Sequence, residues 1–319
     1  MSSPILFLLA SVIWGSTFWA ITLQLGHVAP TVSVVYRFTL ASLTLFMLCQ
    51  ARGAKLWLPW RSQKWMILHG SLAFTCSYVC TYLSEQYLIS ALVAVLFTLL
   101  VIWTPIGERI FFGKRLTWRI WSAGGISLLG VSLLFSQSIV DTWHNLQQSS
   151  NAAENGRFFL GLGLALSATI ASAGSNLVLA KVREQSKDVM LTTAWAMAWG
   201  SLFVAVITIL RGDVWSIPSA ASYWISLIYL ALFGSVIAFS AYFILVDRIG
   251  GHKAVYVGVV TPVISVLLSI QFENYRPGLI EWLGMALCLA GVAIAVSGAS
   301  PNQAQDRKQT AEPLTQTTP

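Results

Sequence analysis

The sequence predicts an all-α membrane protein with ten transmembrane helices in two inverted five-helix repeats. Three observations predict it: the balance of apolar and charged residues, the succession of apolar segments of bilayer length, and the placement of lysine and arginine between them. Hydrophobic residues make up 56% of the 319-residue chain and charged residues 10%, against about 25% charged in ordinary soluble domains. That leaves too little charge to cover a water-facing surface, and the solvent it implies is lipid.

A helix that crosses about 30 Å of hydrocarbon needs about 20 mainly apolar residues. Ten such segments follow one another, at about 4–25, 30–51, 65–84, 87–111, 118–137, 158–180, 189–210, 222–246, 254–272 and 280–298. The first charged side chain is Arg37. The neutral start is therefore far longer than the roughly 7–15-residue apolar core of a cleavable signal peptide, and it reads as a retained helix. Pro4, Pro30, Pro59, Pro218 and Pro277 punctuate segment ends. Trp57, Trp60, Trp65, Trp118, Trp215, Tyr223 and Trp224 fall near those ends, where aromatic rings favour the membrane–water interface.

The loops set the orientation. With a cytoplasmic N-terminus, the inner loops and the tail hold fifteen of the nineteen Lys and Arg residues, among them Arg52, Lys55, Arg109, Lys114, Lys181, Arg248 and Lys253. The outer loops hold Arg157, Arg211 and Arg276, and Arg37 lies within a span. The positive-inside rule selects this arrangement, with both termini in the cytoplasm of a bacterium and the chain threaded through its inner membrane.

The polar stretch 138–157 is the longest interruption, and it reads as a periplasmic linker between a first repeat, 1–137, and a second, 158–298. The segment 299–319, rich in Gln, Thr, Pro and Asp, lacks the apolar content to fold and reads as a disordered cytoplasmic tail. Sliding the chain along itself by 161 residues pairs Arg115 with Arg276, Trp121 with Trp282, Gly130 with Gly291 and Val131 with Val292. Spans 5 and 10 then correspond, and because five is odd the second copy enters the membrane inverted. Inverted repeats are a common plan among secondary transporters, which place substrate near the midplane between the halves.

At this point the residues resemble a known family. ASVIWGSTF (10–18) on span 1, the lone Arg37 on span 2 and SEQYLISALVAVLFTLL (84–100) entering span 4 resemble the drug/metabolite transporter superfamily, in its EamA-like branch. The resemblance covers all ten spans. It implies ten helices in an inverted five-plus-five repeat and transport of small metabolites, often amino acids or drug-like compounds, usually outward. Family repeats commonly carry a proline in the middle of the fourth helix and Gly-Glu-Arg near its end. Here the second half has Pro262, the first has Val101 with Pro105 later, and the ends read Gly113-Lys114-Arg115 and Asn274-Tyr275-Arg276.

Arg37 is the strongest single clue to a site. It lies seven residues beyond Pro30, about 10 Å into the span at about 1.5 Å per residue, where a charge is costly and faces the interior or a partner. Two roles are open to it: a bidentate contact with a substrate carboxylate, or a bridge to Glu85 or to helix-end carbonyls. Glu85, at the outer end of span 3, is near that depth, so a gate-like ion pair is open geometrically. No span holds a deeply placed Asp or Glu, which favours facilitated transport or exchange, with proton coupling through His or Tyr as the alternative.

Polar and aromatic residues within spans are the candidate lining of a substrate pocket: Trp14, Ser16, Thr17, Trp19, Tyr78, Tyr82, Asn176, Trp195, Tyr242 and Tyr256. Each is also an ordinary packing residue. Tyr78 and Tyr82, four apart, share a helical face. Spans 1 and 6 correspond at an offset near 157, which pairs Asn176 with Trp19. Rings with scattered donors suit amphipathic or aromatic ligands. Pro262, four residues after Gly258, removes a helical hydrogen bond and marks a candidate hinge or gate.

Other functions fit less well. There is no HExxH motif, no pair of deep carboxylates and no Ser-Lys or Ser-His dyad within spans, so an intramembrane enzyme is not expected. A sensor or scaffold needs an aqueous domain larger than these loops. A nucleotide sugar would call for several interior cations, and span 1 lacks the glutamate of a small multidrug proton antiporter. Cys49, Cys76, Cys80 and Cys288 sit in apolar runs as packing residues, and His27, His69, His144 and His252 make no metal-spaced cluster. The net charge of +7 is spread over short loops, so no nucleic acid and no cofactor are expected. The expected partners are lipid and a small-molecule substrate, and the expected state a monomer or a homodimer.

Overall fold

A computed structural model describes residues 1–24, 27–88, 93, 96–114, 117–137, 139–140, 143–144, 152–272 and 276–297. Arg115, most of the linker 138–157 and the tail 299–319 lie outside these residues. Ten principal helices run through them: α1 (Ser3–Thr22), α2 (Pro30–Ala51), α3 (Trp60–Ser84), α4 (Leu100–Phe112), α5 (Trp118–Leu134), α6 (Ala152–Gln185), α7 (Val189–Leu210), α8 (Ala221–Ile249), α9 (Val257–Phe272) and α10 (Leu279–Val296). Among the described residues, seven helical stretches are long and apolar enough to cross a membrane. Large apolar side chains such as Leu43, Met47, Leu129, Ile225 and Leu283 stand on the outside of the bundle, as a lipid-facing surface requires.

Local signals set the helix ends. Pro30 opens α2 at a position where its missing N–H costs nothing. Asp188 caps α7, its carboxylate accepting from the amides of Met190 and Leu191 at 3.0 and 3.1 Å. Gly113 ends α4 in the left-handed region at φ 63°. Span 4 is described as continuous helix over Leu100–Phe112, while 89–92 and 94–95, near its expected start, lie outside the described residues. Elsewhere a bound differs from the sequence expectation. α6 runs to Gln185 rather than 180, which carries Arg183 to the rim of the bundle.

α3 and α8 each contain a π-helical turn, at Ser71–Cys76 and Leu232–Ile237, 161 residues apart. Such turns widen the helix and commonly mark functional sites. The same spacing governs the tightest packing. α5 and α10 lie against each other so closely that a Cβ on Gly130 would fall 2.5 Å from the Cys288 amide nitrogen, and one on Gly284 would fall 2.5 Å from that of Leu134. A Cβ on Gly291 would collide with Ser127. Small residues at these positions let the two backbones touch, which is how helices associate where apolar burial gives little driving force.

The N-terminus and the last described residues lie at one end of the bundle. Arg248, at the end of α8, donates to the Met1 carbonyl at 2.6 Å, and Arg119, at the start of α5, donates to the Ile294 carbonyl at 2.7 Å. We call this the terminal face and the other the distal face. At the distal face Thr31 donates to Asp213 at 2.7 Å and Tyr36 to the Ser216 carbonyl at 3.2 Å. These bonds tie α2 to the connection between α7 and α8.

Candidate functional site

α1, α2, α3, α6, α8 and α9, with the approach to α4, enclose a cavity of about 180 Å³. Its walls are largely aromatic. Trp14 meets Phe239 and Tyr242 at centroid distances of 5.0 and 5.1 Å, and Tyr78 packs edge-on against Phe38 at 4.7 Å. A few polar groups interrupt the rings. Tyr242 donates to Asn176 Oδ1 at 3.2 Å, and the hydroxyls of Ser77 and Ser172 meet at 2.6 Å.

Arg37 is 1% exposed and reaches the cavity from α2. Its Nε donates to Ser235 Oγ at 2.9 Å, and that hydroxyl donates in turn to the Leu230 carbonyl at 2.9 Å. The guanidinium carbon lies 5.2 Å from the Tyr78 ring centre and 5.4 Å from that of Phe38, within cation–π range. Nη1 has no hydrogen-bond partner among the described residues. The π-helical turn of α8 makes this placement possible. A Cβ on Gly234 would come 2.9 Å from Thr17 and 3.2 Å from Arg37 Nη2, so only glycine leaves room there. The Gly234 carbonyl also accepts from Trp14 Nε1 at 3.1 Å.

Of the residues chosen from sequence, Trp14, Thr17, Arg37, Tyr78, Tyr82, Asn176, Tyr242, Glu85 and Pro262 line this one cavity. Three do not. Ser16 turns to the Tyr229 hydroxyl at 2.5 Å. Trp195 donates to the Leu56 carbonyl at 2.9 Å and packs edge-on against Phe46, so it serves the α2–α7 side. Tyr256 is 1% exposed in a separate cluster with Val101, Ala123 and Val259. Trp19 lies on α1, and its side chain is outside the described residues. Arg37 and Glu85 share the cavity yet form no ion pair, so the salt-bridged gate open to the sequence is not made here.

Sequence reasoning missed Phe239, Phe243, Thr81, Leu100, Gly258 and Thr261, all of which line the cavity. The 161-residue offset would have found three of them, since it joins Tyr78 to Phe239, Thr81 to Tyr242 and Tyr82 to Phe243. It also joins Phe97 to Gly258 and Leu100 to Thr261, and every one of these residues faces the same space. Pro262 adds a backbone group. Lacking an N–H, it leaves the Gly258 carbonyl without its usual helical donor, and both residues line the cavity.

The two ends of the cavity differ. Toward the distal face, Tyr82 and Glu85 also line an adjoining pocket with Gln24, Val28, Pro30, Ser33 and Gln86. Toward the terminal face the path is filled. His69, 1% exposed, sits at 3.1 Å from the Ser175 carbonyl and 5.2 Å from the Phe243 ring. At the rim, Arg183 Nε pairs with Asp247 at 3.2 Å, and Glu108 takes Lys114 at 3.1 Å and His252 at 3.3 Å. Glu108 thus joins α4 to the turn Gly251–Ala254 that precedes α9.

Similarities to other proteins agree with this architecture. The chain is 25% identical over 290 residues to the uncharacterized inner membrane transporter YedA of Escherichia coli K12, covering 90% of this chain and 88% of that one. It is 21% identical to the protein PagO of Salmonella typhimurium over 279 residues, with 86% of each chain covered. A solved crystal structure at 17% identity superposes with a TM-score of 0.74 over 92% of this chain and 96% of that one, which is a likeness of fold. The sequence model of the EamA-like transporter family matches residues 1–136 and 159–297. With both helical stretches on either side of the linker matched, and a cavity between helices drawn from both, the chain belongs to the EamA-like transporter family, within the drug/metabolite transporter superfamily.

Proposed function

We propose that this transporter exports small amphipathic metabolites, amino acids foremost, across the bacterial inner membrane by alternating access. One observation carries the substrate reading: a ring-lined cavity into which a single buried guanidinium presents an unpartnered Nη1. A carboxylate is the group that meets a guanidinium best, through short charge-assisted bonds, and the aromatic walls suit an apolar side chain. Among the described residues no second cation lines the cavity, so a multiply charged phosphate ester has little to bind.

The two halves, 1–137 and 158–298, are read as five-helix repeats of opposite orientation. The 161-residue spacing of the π-helical turns, of the cavity-lining pairs and of the Gly130 and Gly291 contacts supports this reading. The terminal face is read as cytoplasmic, because Arg52, Lys114, Arg119, Lys181, Arg248 and Lys253 gather in the loops on that side. The cavity is then outward-facing, reached through the pocket around Gln24 and Gln86 and shut from the cytoplasm. The chain is read as a carrier rather than an enzyme, a reading supported by its family and by a cavity whose described residues present no nucleophile–base pair.

The test is a metabolite-resistance screen of an overexpressing strain, followed by counterflow in liposomes with radiolabelled standard amino acids. The expected result is exchange of amino acids with apolar or aromatic side chains, and weak or absent exchange of sugar phosphates. Failure of every amino acid and amphipathic metabolite to move refutes the proposal.

A further inference from the structure

We propose that Glu85 is the proton-exchange group of this cavity, binding a proton when the cavity is empty and the cationic end of a carried molecule when it is loaded. The inference rests on the transport reading above and adds its energy coupling.

Glu85 lies one residue past the end of α3 and lines both the cavity and its distal pocket. Its carboxylate has neither a cation nor a hydrogen-bond donor among the described residues. Two neighbours are equally unsatisfied. Gln24, 2% exposed, leaves both side-chain atoms unpartnered, and the hydroxyl of Tyr82, 3% exposed, is unpartnered as well. Buried polar groups are ordinarily paired, so two such unpartnered groups beside the half-buried Glu85 carboxylate mark a place where something else binds. Ser33, also in the distal pocket, is already taken up by Tyr223 at 3.1 Å.

The groups around this carboxylate do not neutralise it. α2 brings Arg37, whose Nε is held by Ser235 and which lies outside ion-pair distance. α3 itself brings Tyr78 and Tyr82, α8 brings Tyr242, and α1, α6 and α9 bring only uncharged Gln24, Asn176 and Thr261. Burial alone pushes the Glu85 carboxyl up to about 7. An ionised carboxylate in such a place is relieved by a proton or by a ligand's ammonium group, and the two exclude each other. Reciprocity follows: the loaded site sheds its proton, and an arriving proton expels the cation. With the mouth on the distal side, one proton enters the site from outside for each cationic group released there.

The test uses the full chain in liposomes with radiolabelled standard amino acids as probes. Wild-type protein should accumulate an exchanged amino acid several-fold when a pH gradient is imposed, with an exchange rate that changes most steeply near pH 7. Glu85→Gln should exchange more slowly, with a flat pH profile and no gradient-driven accumulation. Glu85→Asp should restore the accumulation. Because a variant can fail to fold, proton release on adding the amino acid to wild-type protein in weakly buffered detergent is a second measurement. About half a proton per chain is expected at pH 7, where the empty site is half protonated, and far less at pH 9, where it is already ionised. Gradient-driven accumulation by Glu85→Gln equal to wild type overturns the proposal, as does wild-type exchange without any response to the gradient or any proton release. Wild-type protein that moves no amino acid in either assay overturns the transport reading itself.

Discussion

Replacing Arg37 by methionine separates a substrate-binding arginine from a structural one. Methionine fills much of the same volume without charge. In the fold, Arg37 makes one hydrogen bond, to Ser235 at 2.9 Å, and two ring contacts at 5.2 and 5.4 Å. A hydrogen bond from a charged group contributes about 1.5–3 kcal/mol, and each desolvated cation–π contact about 1–2 kcal/mol. Against these stands the cost of burying a guanidinium with no carboxylate beside it, several kcal/mol. The two sides nearly cancel, so Arg37→Met should leave the melting temperature in detergent unchanged or slightly higher. Binding should respond differently. If Nη1 meets a ligand carboxylate, losing that charged bond costs about 1.5–3 kcal/mol, a 10- to 150-fold rise in apparent Kd at about 1.4 kcal/mol per decade. Arg37→Lys keeps the charge but not the fork and should fall between, near tenfold. Thermal melts and counterflow concentration curves on the same preparations read both effects. A strongly destabilised Arg37→Met whose folded fraction exchanges amino acids with wild-type affinity would refute the reasoning.

Three further results are expected. Glu85→Gln should stabilise the protein at pH 8 but not at pH 4.5: the folded carboxyl titrates near 7 against an ordinary 4.5, so the desolvation penalty is absent below 4.5, grows as pH rises and is complete above 7. The gain at pH 8 should be about 1–3 kcal/mol, seen as a pH-dependent melting difference. Gly130→Ala puts a methyl 2.5 Å from a backbone nitrogen of α10 and should destabilise by about 1–3 kcal/mol, whereas Gly125→Ala, with nothing within 4 Å, should be neutral in the same melt. Asp247→Asn removes the partner that Arg183 holds at 3.2 Å and should favour opening at the terminal face by about 1–2 kcal/mol, read as faster labelling of a cysteine at Ser175 by a reagent supplied from that side.

How much of this was legible in the sequence depends on the range of the interaction. Apolar segment length and loop charge report local facts, and the ten helices follow from them. Arg37 was legible because a lone charge among apolar residues has so few places to go. Ser16 and Trp195 were not, because their partners Tyr229 and the Leu56 carbonyl lie 213 and 139 residues away, and only packing decides whether a ring faces a cavity or a neighbouring helix. Glu85 was legible as a residue near Arg37 but not as an unpaired one. That distinction rests on Tyr82 and Gln24, whose free polar atoms no pattern of spacing reveals. Phe239 and Phe243 were within reach, since the register that pairs Gly130 with Gly291 also pairs them with Tyr78 and Tyr82.

The proposed inversion also explains why the cavity stands open on one side. On the terminal face closure is ionic, through Arg183 with Asp247 and Lys114 with Glu108, and Arg183 is nearly buried. Shifting Asp247 back by 161 residues, the register that pairs α3 with α8, gives Gln86 as the position that would perform its task at the distal face, and it carries no charge. A distal closure through Gln86 gains a hydrogen bond where the terminal face has an ion pair. It must also bury Glu85 and Gln24 without partners unless a ligand supplies them. Closing the distal side on an empty cavity is therefore the costlier state, and a bound molecule that satisfies Glu85 and Arg37 together lowers that cost. In the proposed cycle the same unpaired groups would make occlusion conditional on the presence of cargo, which is what a carrier needs to avoid cycling empty.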